Sequence, residues 1–356
     1  MKAAVCRGAG DLRVEEVPVP PTGSGEILVK VDACGICGTD IKKIQRGLLP
    51  GPRIFGHEIA GTVARAGPGT RWREGDRVVV HHHIPCGRCF YCAEGVYAQC
   101  EHYKKNGTTA GFEPSGGGFA EYVRALDWIA ERGTIAIPDG VAPEEAAFVE
   151  PVNTCLKAVQ KTRIAPGQTV LVVGQGPIGL ILTQLCRREG AEVLATDTLA
   201  DRLEMSRTLG ASAAFDAGAV DVVREVRSLT GGRGVDRAIV AAVGRAPFAQ
   251  AVDATRPGGR IMLFAATSPG EVAEVDLGAL GAAEKEIGTS YSASVDVQDL
   301  AARLVFNREV RVGDLVTHRF PLDEAPRAVT IAAQPAPGVL KVVLRSDVQM
   351  SARRSS

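Results

Sequence analysis

A chain of 356 residues with 45% hydrophobic and 23% charged residues has room for two domains and the composition of a globular protein. Its 41 Lys and Arg are balanced by 41 Asp and Glu, so no net basic field exists to hold a nucleic-acid backbone. No apolar run approaches the roughly 18–20 residues of a membrane span, and the stretch MKAAVCRGAGDLRVEE carries charges where a secretory signal needs an unbroken apolar core. A cytoplasmic location is expected, with neither nucleic acid nor membrane as partner.

In chain order, residues 1 to about 150 are short alternating segments such as EILVKVDA and DRVVVHHH, separated by Gly- and Pro-rich turns (PVPPTGSGE, GPGT, EPSGGG). This predicts a β-rich domain, a partly open barrel. From Thr169 the texture becomes apolar strand, glycine turn, amphipathic helix: TVLVVG, PIGLILTQLCRREG, EVLATD, LADRLEMSRTLG, then VDRAIVAA, PFAQAVDATRPGG and RIMLFAA. Strands alternating with helices of this length predict βαβ units and a doubly wound parallel sheet, an α/β fold. Past about Ser290 the alternation fades; GVLKVVLRS reads as a strand able to return to the first domain, and the polar end of the chain as a frayed tail. Eight of the nine cysteines lie at or before Cys155, so the two halves do different work.

Cys86, Cys89, Cys92 and Cys100 follow C-x2-C-x2-C-x7-C. Four thiolates in one loop can close a tetrahedral zinc shell at about 2.3 Å per bond and leave no position for a substrate, which makes a structural site. His81, His82 and His83 extend the run RVVVHHH. Strand side chains alternate between faces, so the three cannot all converge on one metal; they read as strand or surface residues. A second donor set is dispersed. CGICGTD (34–40), GHE (56–58) and VEP (149–151) supply a thiolate, an imidazole and carboxylates, the mixture of an exchangeable, catalytic zinc. By spacing alone, a His beside a Glu is equally a satisfied polar pair.

The strand VLVVG runs into Gly174-Gln175-Gly176-Pro177-Ile178-Gly179 and a helix. This is G-x-G-x-x-G in the context that binds a dinucleotide: Gly174 for the turn, Gly176 for close approach of the pyrophosphate, Gly179 for helix-to-strand packing. Asp197 ends EVLATD. Its carboxylate can accept from a ribose 2′-OH and repels a 2′-phosphate, favouring NAD over NADP; the alternative is a helix-capping aspartate. Arg202 is placed to reach a 2′-phosphate or to stand as a solvated helix residue.

Together with GHEIAGTVARAGPGTRWREGDRV, GGFAEYV (117–123), EP (150–151) and GQGPIGL, these residues resemble the zinc-dependent medium-chain dehydrogenase/reductase superfamily over nearly the whole chain. The resemblance implies a GroES-like catalytic domain at 1–151 carrying the zinc lobe 86–100, a Rossmann domain at 152–290, a return to the catalytic domain at 291–345 and a tail at 346–356. It implies that Cys37, His57 and Glu58 surround a catalytic zinc and that Glu150 stands where alcohol dehydrogenases carry a second cysteine, as in the polyol (sorbitol-type) and threonine dehydrogenase branch. Cys34 is then a buried residue and not a ligand. Thr39 matches a relay hydroxyl, and Asp40 is placed to accept from His57 and fix its tautomer. Lys42 stands where many relatives carry a histidine of that relay, and Lys42 or Lys43 can meet a phosphorylated substrate. Substrate choice falls to loops such as YKKNGTTAGFEPSGGG. The implied activity is zinc- and NAD-dependent interconversion of a secondary alcohol (polyol, cyclitol or sugar-derived) and its ketone by direct hydride transfer, in a homo-oligomer. L-threonine 3-dehydrogenase-like or sugar-phosphate dehydrogenase activity, and a non-catalytic dinucleotide-binding zinc protein, stay open.

Overall fold

The strand Ile27–Gly35 is buried along most of both faces, so its sequence, ILVKVDACG, is nearly continuous in apolar and small residues. In the computed structural model, which describes residues 1–49, 51–102, 108–109, 117–265 and 270–346, this strand is the centre of the first sheet. The order is Val316–Pro321, Lys341–Arg345, Ile27–Gly35, Glu58–Ala66, Arg77–His81, Thr134–Ala136. Tyr122–Ala125 pairs with the other end of Ile27–Gly35. A second, three-stranded sheet sets Lys2–Gly8 between Asp11–Glu16 and Arg53–Ile54. Their shared core holds Ile27, Ile59, Phe119 and Ile129, none of them exposed; each such side chain contributes about 1.5–3 kcal/mol by leaving water.

The chain divides into two units. One comprises Met1–Glu150, Ser294–Pro335 and Val339–Ser356; the other comprises Pro151–Ala293 with Ala336–Gly338. The sequence reading places these boundaries at 151 and 290 and takes 291–345 as one return. The structure instead assigns the short turn Ala336–Gly338 to the second unit, where Gly338 N donates to Asp201 Oδ2 at 2.6 Å. The end of the chain from 347 lies outside the described residues.

The second unit is a six-stranded parallel sheet in the order Ala213–Asp216, Glu192–Asp197, Thr169–Val173, Val235–Val240, Thr255–Leu263, Glu286–Thr289. Order reverses at Thr169–Val173, and ligands of doubly wound sheets bind beyond the carboxyl ends of strands at such a switch point. The helix Pro177–Arg188 leaves from that point with proline in its first turn and arginines in its last, which suits the helix dipole. No helix of the described residues is long and apolar enough to cross a membrane.

Candidate functional site

Strand pairing assembles the dispersed donors. Gly35 lies opposite Glu58, and Glu58 opposite His81, in adjacent antiparallel ladders. Two residues past Gly35, Cys37 caps the helix Gly38–Arg46: its sulfur accepts from Thr39 N at 3.5 Å, and Asp40 at the third helical position accepts from Cys37 N at 3.4 Å. This is a capping box with a thiol in the serine position. The result is a cluster in which donor atoms of Cys37, His57 and Glu58 all lie within 4.8 Å of one another.

Asp40, 1% exposed, bonds His57 Nδ1 at 3.0 Å. With that nitrogen protonated, the other ring nitrogen keeps its lone pair free for a metal. Burial raises the Asp40 carboxyl, yet the neighbouring imidazole outweighs it and the net shift is downward. Burial likewise pulls His57 down, but Asp40 and then Cys37 lift it well above the usual histidine range. The pocket attracts positive charge, as the donor set of a cation site should.

Glu58 has a partner that sequence reasoning missed. Lys341 Nζ donates to Glu58 Oε1 at 2.6 Å, and both side chains are buried. Burial pulls the ammonium down, but Glu58 and then Cys37 reverse this and hold it raised. The sequence signal is a lone lysine inside VLKVVL. A Cβ on Gly35 would overlap the Glu58 carboxylate and meet Lys341 Cε at 2.8 Å, so glycine there makes room for the pair.

Glu150 lies in the first turn of the helix Val149–Thr162 and is 7% exposed, but it is not in the group whose donor atoms lie within 4.8 Å of one another. It feels the site nonetheless: burial pushes its carboxyl up to about 7, with His57 pulling down and Glu58 pushing up. Thr39 is half-buried in the first helical turn; Lys42 follows on the same helix, and Lys43 Nζ lies 6.0 Å from the Phe55 ring centroid. Cys34 is 1% exposed and its thiol is raised well above normal, chiefly by burial. Glycines make its pocket: a Cβ at Gly118 would meet its sulfur at 2.5 Å and one at Gly56 at 2.9 Å.

The histidine triplet divides: His81 fits the strand reading, whereas His82 and His83 lie past the end of that strand. The strand ends at His81, which is buried and lowered to about 4 by burial. His82 is a bend that breaks the strand before the single bridge at His83, so alternation does not carry through the triplet. The His82 ring lies 4.9 Å from that of His57, and His83 packs edge-on against His82 at 3.6 Å.

A second donor cluster unites Cys86, Cys89, Cys92 and Cys100. Short elements, Phe90–Ala93 and Tyr97–Gln99, fold it, and backbone N–H groups of Cys86 and His102 donate to Cys100 sulfur at 3.2 and 3.4 Å. Cys89 is lowered to about 6, first by its backbone partner at Glu101, whereas burial pushes Cys92 up to about 12. Four convergent thiols fit a closed metal shell.

In the parallel-sheet unit, Gly174 has φ +91 and a Cβ on Gly179 would overlap the Gly174 carbonyl oxygen, so both positions require glycine. A Cβ added at Gly176 would meet nothing nearer than Arg202 Nη1 at 3.8 Å, so there is room before Pro177 and Ile178 open the helix. Asp197 reaches across the turn: Oδ2 accepts from Gln175 N at 2.6 Å, and Oδ1 from Thr198 and Leu199 N at 2.8 and 3.0 Å. Arg202 stands 3.9 Å from it. An open turn with the helix N-terminus and a carboxylate beside it fits a dinucleotide's pyrophosphate and ribose.

Comparison with known proteins agrees with this geometry. Residues 23–139 match the alcohol dehydrogenase GroES-like domain and residues 177–306 the zinc-binding dehydrogenase domain. Sorbitol dehydrogenase of Bacillus subtilis is 33% identical over 76% of this chain and 77% of its own, and L-threonine 3-dehydrogenase of Pyrococcus abyssi 34% identical over 72% and 73%. A zinc-binding dehydrogenase structure from Sinorhizobium meliloti, bound to NADP, superposes with a TM-score of 0.87 at 32% identity, covering 97% of this chain and 98% of that one.

Proposed function

Because the chain belongs to the zinc-dependent medium-chain dehydrogenase/reductase superfamily, in its polyol and threonine dehydrogenase branch, we propose that it interconverts a polyol or cyclitol secondary alcohol and the corresponding ketone, with NAD as the hydride carrier. It is an oxidoreductase acting on CH–OH groups. The observation that carries the finer reading is the Cys37, His57 and Glu58 cluster with Asp40 bonded to His57. Thiolate, imidazole and carboxylate suit a catalytic zinc with an exchangeable position.

Cys37, His57 and Glu58 would hold that metal, with Glu150 as a further carboxylate facing it; the four cysteines 86, 89, 92 and 100 would hold a structural one. Zinc, when bound, supplies Lewis acidity toward the substrate oxygen, and the dinucleotide supplies the hydride acceptor. The remaining work belongs to side chains. Asp40 keeps the His57 Nδ1 proton in place, so the ring cannot turn or change tautomer. The Thr39 hydroxyl takes the alcohol proton and passes it outward; its half-buried position on the first helical turn supports this role. Lys42, on the same helix, would continue that path.

Asp197 supports NAD, because a 2′-phosphate would meet its carboxylate. One observation favours the opposite cofactor: Arg202 beside Asp197, together with NADP in the Sinorhizobium neighbour. Self-association is supported by the edge strand Glu286–Thr289, where Ile287 is 40% exposed, and by Leu277 at 77%; exposed edges and apolar residues favour a partner. Nine free thiols support a reducing, cytoplasmic setting.

Initial rates at 340 nm with NAD and NADP, against polyols, inositols, sugar phosphates, L-threonine and simple secondary alcohols, test the reading. Polyol or cyclitol turnover with NAD is expected. Preference for NADP overturns the cofactor assignment, and turnover confined to L-threonine or sugar phosphates, or silence in protein holding two zincs per chain, overturns the substrate class.

A further inference from the structure

Thr134–Ala136 is the open edge of the first sheet. His81 N donates to Gly133 O and Ile137 N to Arg77 O, so the backbone groups of Thr134 and Ala136 point away from Arg77–His81. On that side lies a cavity of about 660 Å³, made wholly within the catalytic unit and in the size range of small-molecule sites. Its lining carries two guanidiniums, Arg71 and Arg132, and two carboxylates, Asp76 and Asp299. The signs balance, yet among the described residues no ion pair joins any of the four to another or to a neighbour.

Each of these groups is held in place by something else. Arg71 lies over the Trp72 ring, 4.8 Å from its centroid, and Nη2 donates to Thr134 O at 3.2 Å. Arg132 lies over the Trp128 ring at 4.1 Å. Both stacks are fixed to one short helix, Asp127–Arg132: Trp128 and Arg132 are four residues apart on it, and Trp72 Nε1 donates to Ala130 O at 2.7 Å. A guanidinium stacked on an aromatic face keeps its in-plane N–H groups for a carboxylate. Asp76 accepts from Arg73 N at 2.8 Å. Gln298, 8% exposed, donates to Arg132 O at 3.0 Å and sets the next residue, Asp299, at the same cavity. Opposite charges that share a cavity without pairing keep their capacity for a third party.

We propose that this cavity binds a small zwitterion, one molecule carrying a carboxylate and an ammonium group, with Arg71 and Arg132 taking the carboxylate and Asp299 and Asp76 the ammonium. A simple anion gains from the arginines and loses to the aspartates; a simple cation does the reverse. A ligand with both charges gains from each pair, and its neutrality matches that of the lining. Occupancy requires neither bound zinc nor an alcohol substrate. The tryptophans under the two arginines are the only ones in the chain, so an occupant reports itself in their fluorescence.

The test titrates the full chain, at low ionic strength, with glycine, β-alanine and γ-aminobutyrate, which differ in the distance between their charges and carry no hydroxyl to oxidise. Acetate and ethylamine are the single-charge controls. Binding is read by tryptophan fluorescence and by titration calorimetry. At least one zwitterion should saturate in both, about tenfold or more tighter than either control. Arg132→Ala and Asp299→Asn should each weaken that binding about tenfold, the scale of one lost hydrogen bond to a charged group, and Arg132→Lys should recover part of it. Both side chains are exposed, so the variants should unfold at the wild-type temperature. Arg132→Ala removes the stack on Trp128 and with it the starting fluorescence, so calorimetry decides for that variant. Binding of acetate or ethylamine as tight as that of the best zwitterion overturns the proposal, as does saturation indifferent to both variants, or no saturation with any of the three zwitterions. An enzyme that turns over polyols with NAD yet shows any of these results overturns the zwitterion site alone; saturable zwitterion binding in a chain that oxidises no alcohol leaves the site standing and removes the proposed function.

Discussion

The two donor clusters of the catalytic unit are built on opposite plans. The lobe draws four thiols from residues 86–100 and packs them around little more than each other and Tyr97. The other cluster draws on residues 37, 57 and 58, braced by Asp40 and Lys341 and faced by Glu150. A closed shell needs only a short loop and backbone N–H groups. An exchangeable site needs more: a sheet to bring distant donors together, and a buried cation to keep surplus negative charge in check. On the proposed reading, stability and reactivity fall to separate pieces of chain.

His57→Ala should break this contrast at its reactive end. Loss of the metal there is expected to lower kcat/KM by about a thousandfold or more, some 4 kcal/mol of barrier, while thermal unfolding moves little. Cys92→Ser should do the reverse. One metal per chain disappears from elemental analysis, Tm drops by roughly 5–10 °C, and the metal at Cys37 and His57 stays bound. Equal losses of activity and stability in both variants would mean the clusters do not divide the work. Asp40→Asn is milder: metal affinity at the reactive site should fall about 10–100-fold, measured by chelator competition, with the lobe unaffected.

An effect read only in acid, and on stability alone, concerns His81, in the strand between the two clusters in sequence. Its folded pKa, about 4, lies below the ordinary 6.5. Lowering the pH therefore protonates the unfolded chain first. Stability from this residue is intact above about 6.5 and lost between there and 4, amounting to roughly 3 kcal/mol at the acid end. Urea unfolding at pH 6.5 and 4.5 should show a shallower loss in His81→Leu than in the wild type; an unchanged slope would remove His81 from the account.

Local patterns were the legible ones. The four-cysteine spacing, the glycine turn and the strand-helix alternation each sit within a few consecutive residues, and their geometry follows from the chain's own covalent reach. The Asp40 bond to His57 was legible too, through resemblance. Lys341 was not: KVVL reads as a strand, but nothing in the residues says that it lies beside Ile27–Gly35, which is what brings its ammonium to Glu58. His82 was misread because alternation holds only while a strand continues, and this one ends a residue earlier. The Asp197 bonds to Thr198 N and Leu199 N are local, but its bond to Gln175 N in the glycine turn depends on parallel strand register. The segment 103–116, to which the sequence reading assigns substrate choice, lies, apart from Thr108 and Thr109, outside the described residues.

The pairing of Lys341–Arg345 with Ile27–Gly35 also imposes a timetable. A chain is synthesised from its N-terminus, and domains fold as they emerge. Cys37, His57 and Glu58 are therefore made early, the whole parallel sheet follows, and only then does the strand arrive that completes the central ladder and neutralises Glu58. Contacts of such long sequence separation form slowly. A prematurely terminated product would keep the metal donors but expose an unpaired edge beside an unbalanced buried acid, which marks it for aggregation or proteolysis rather than for unregulated activity.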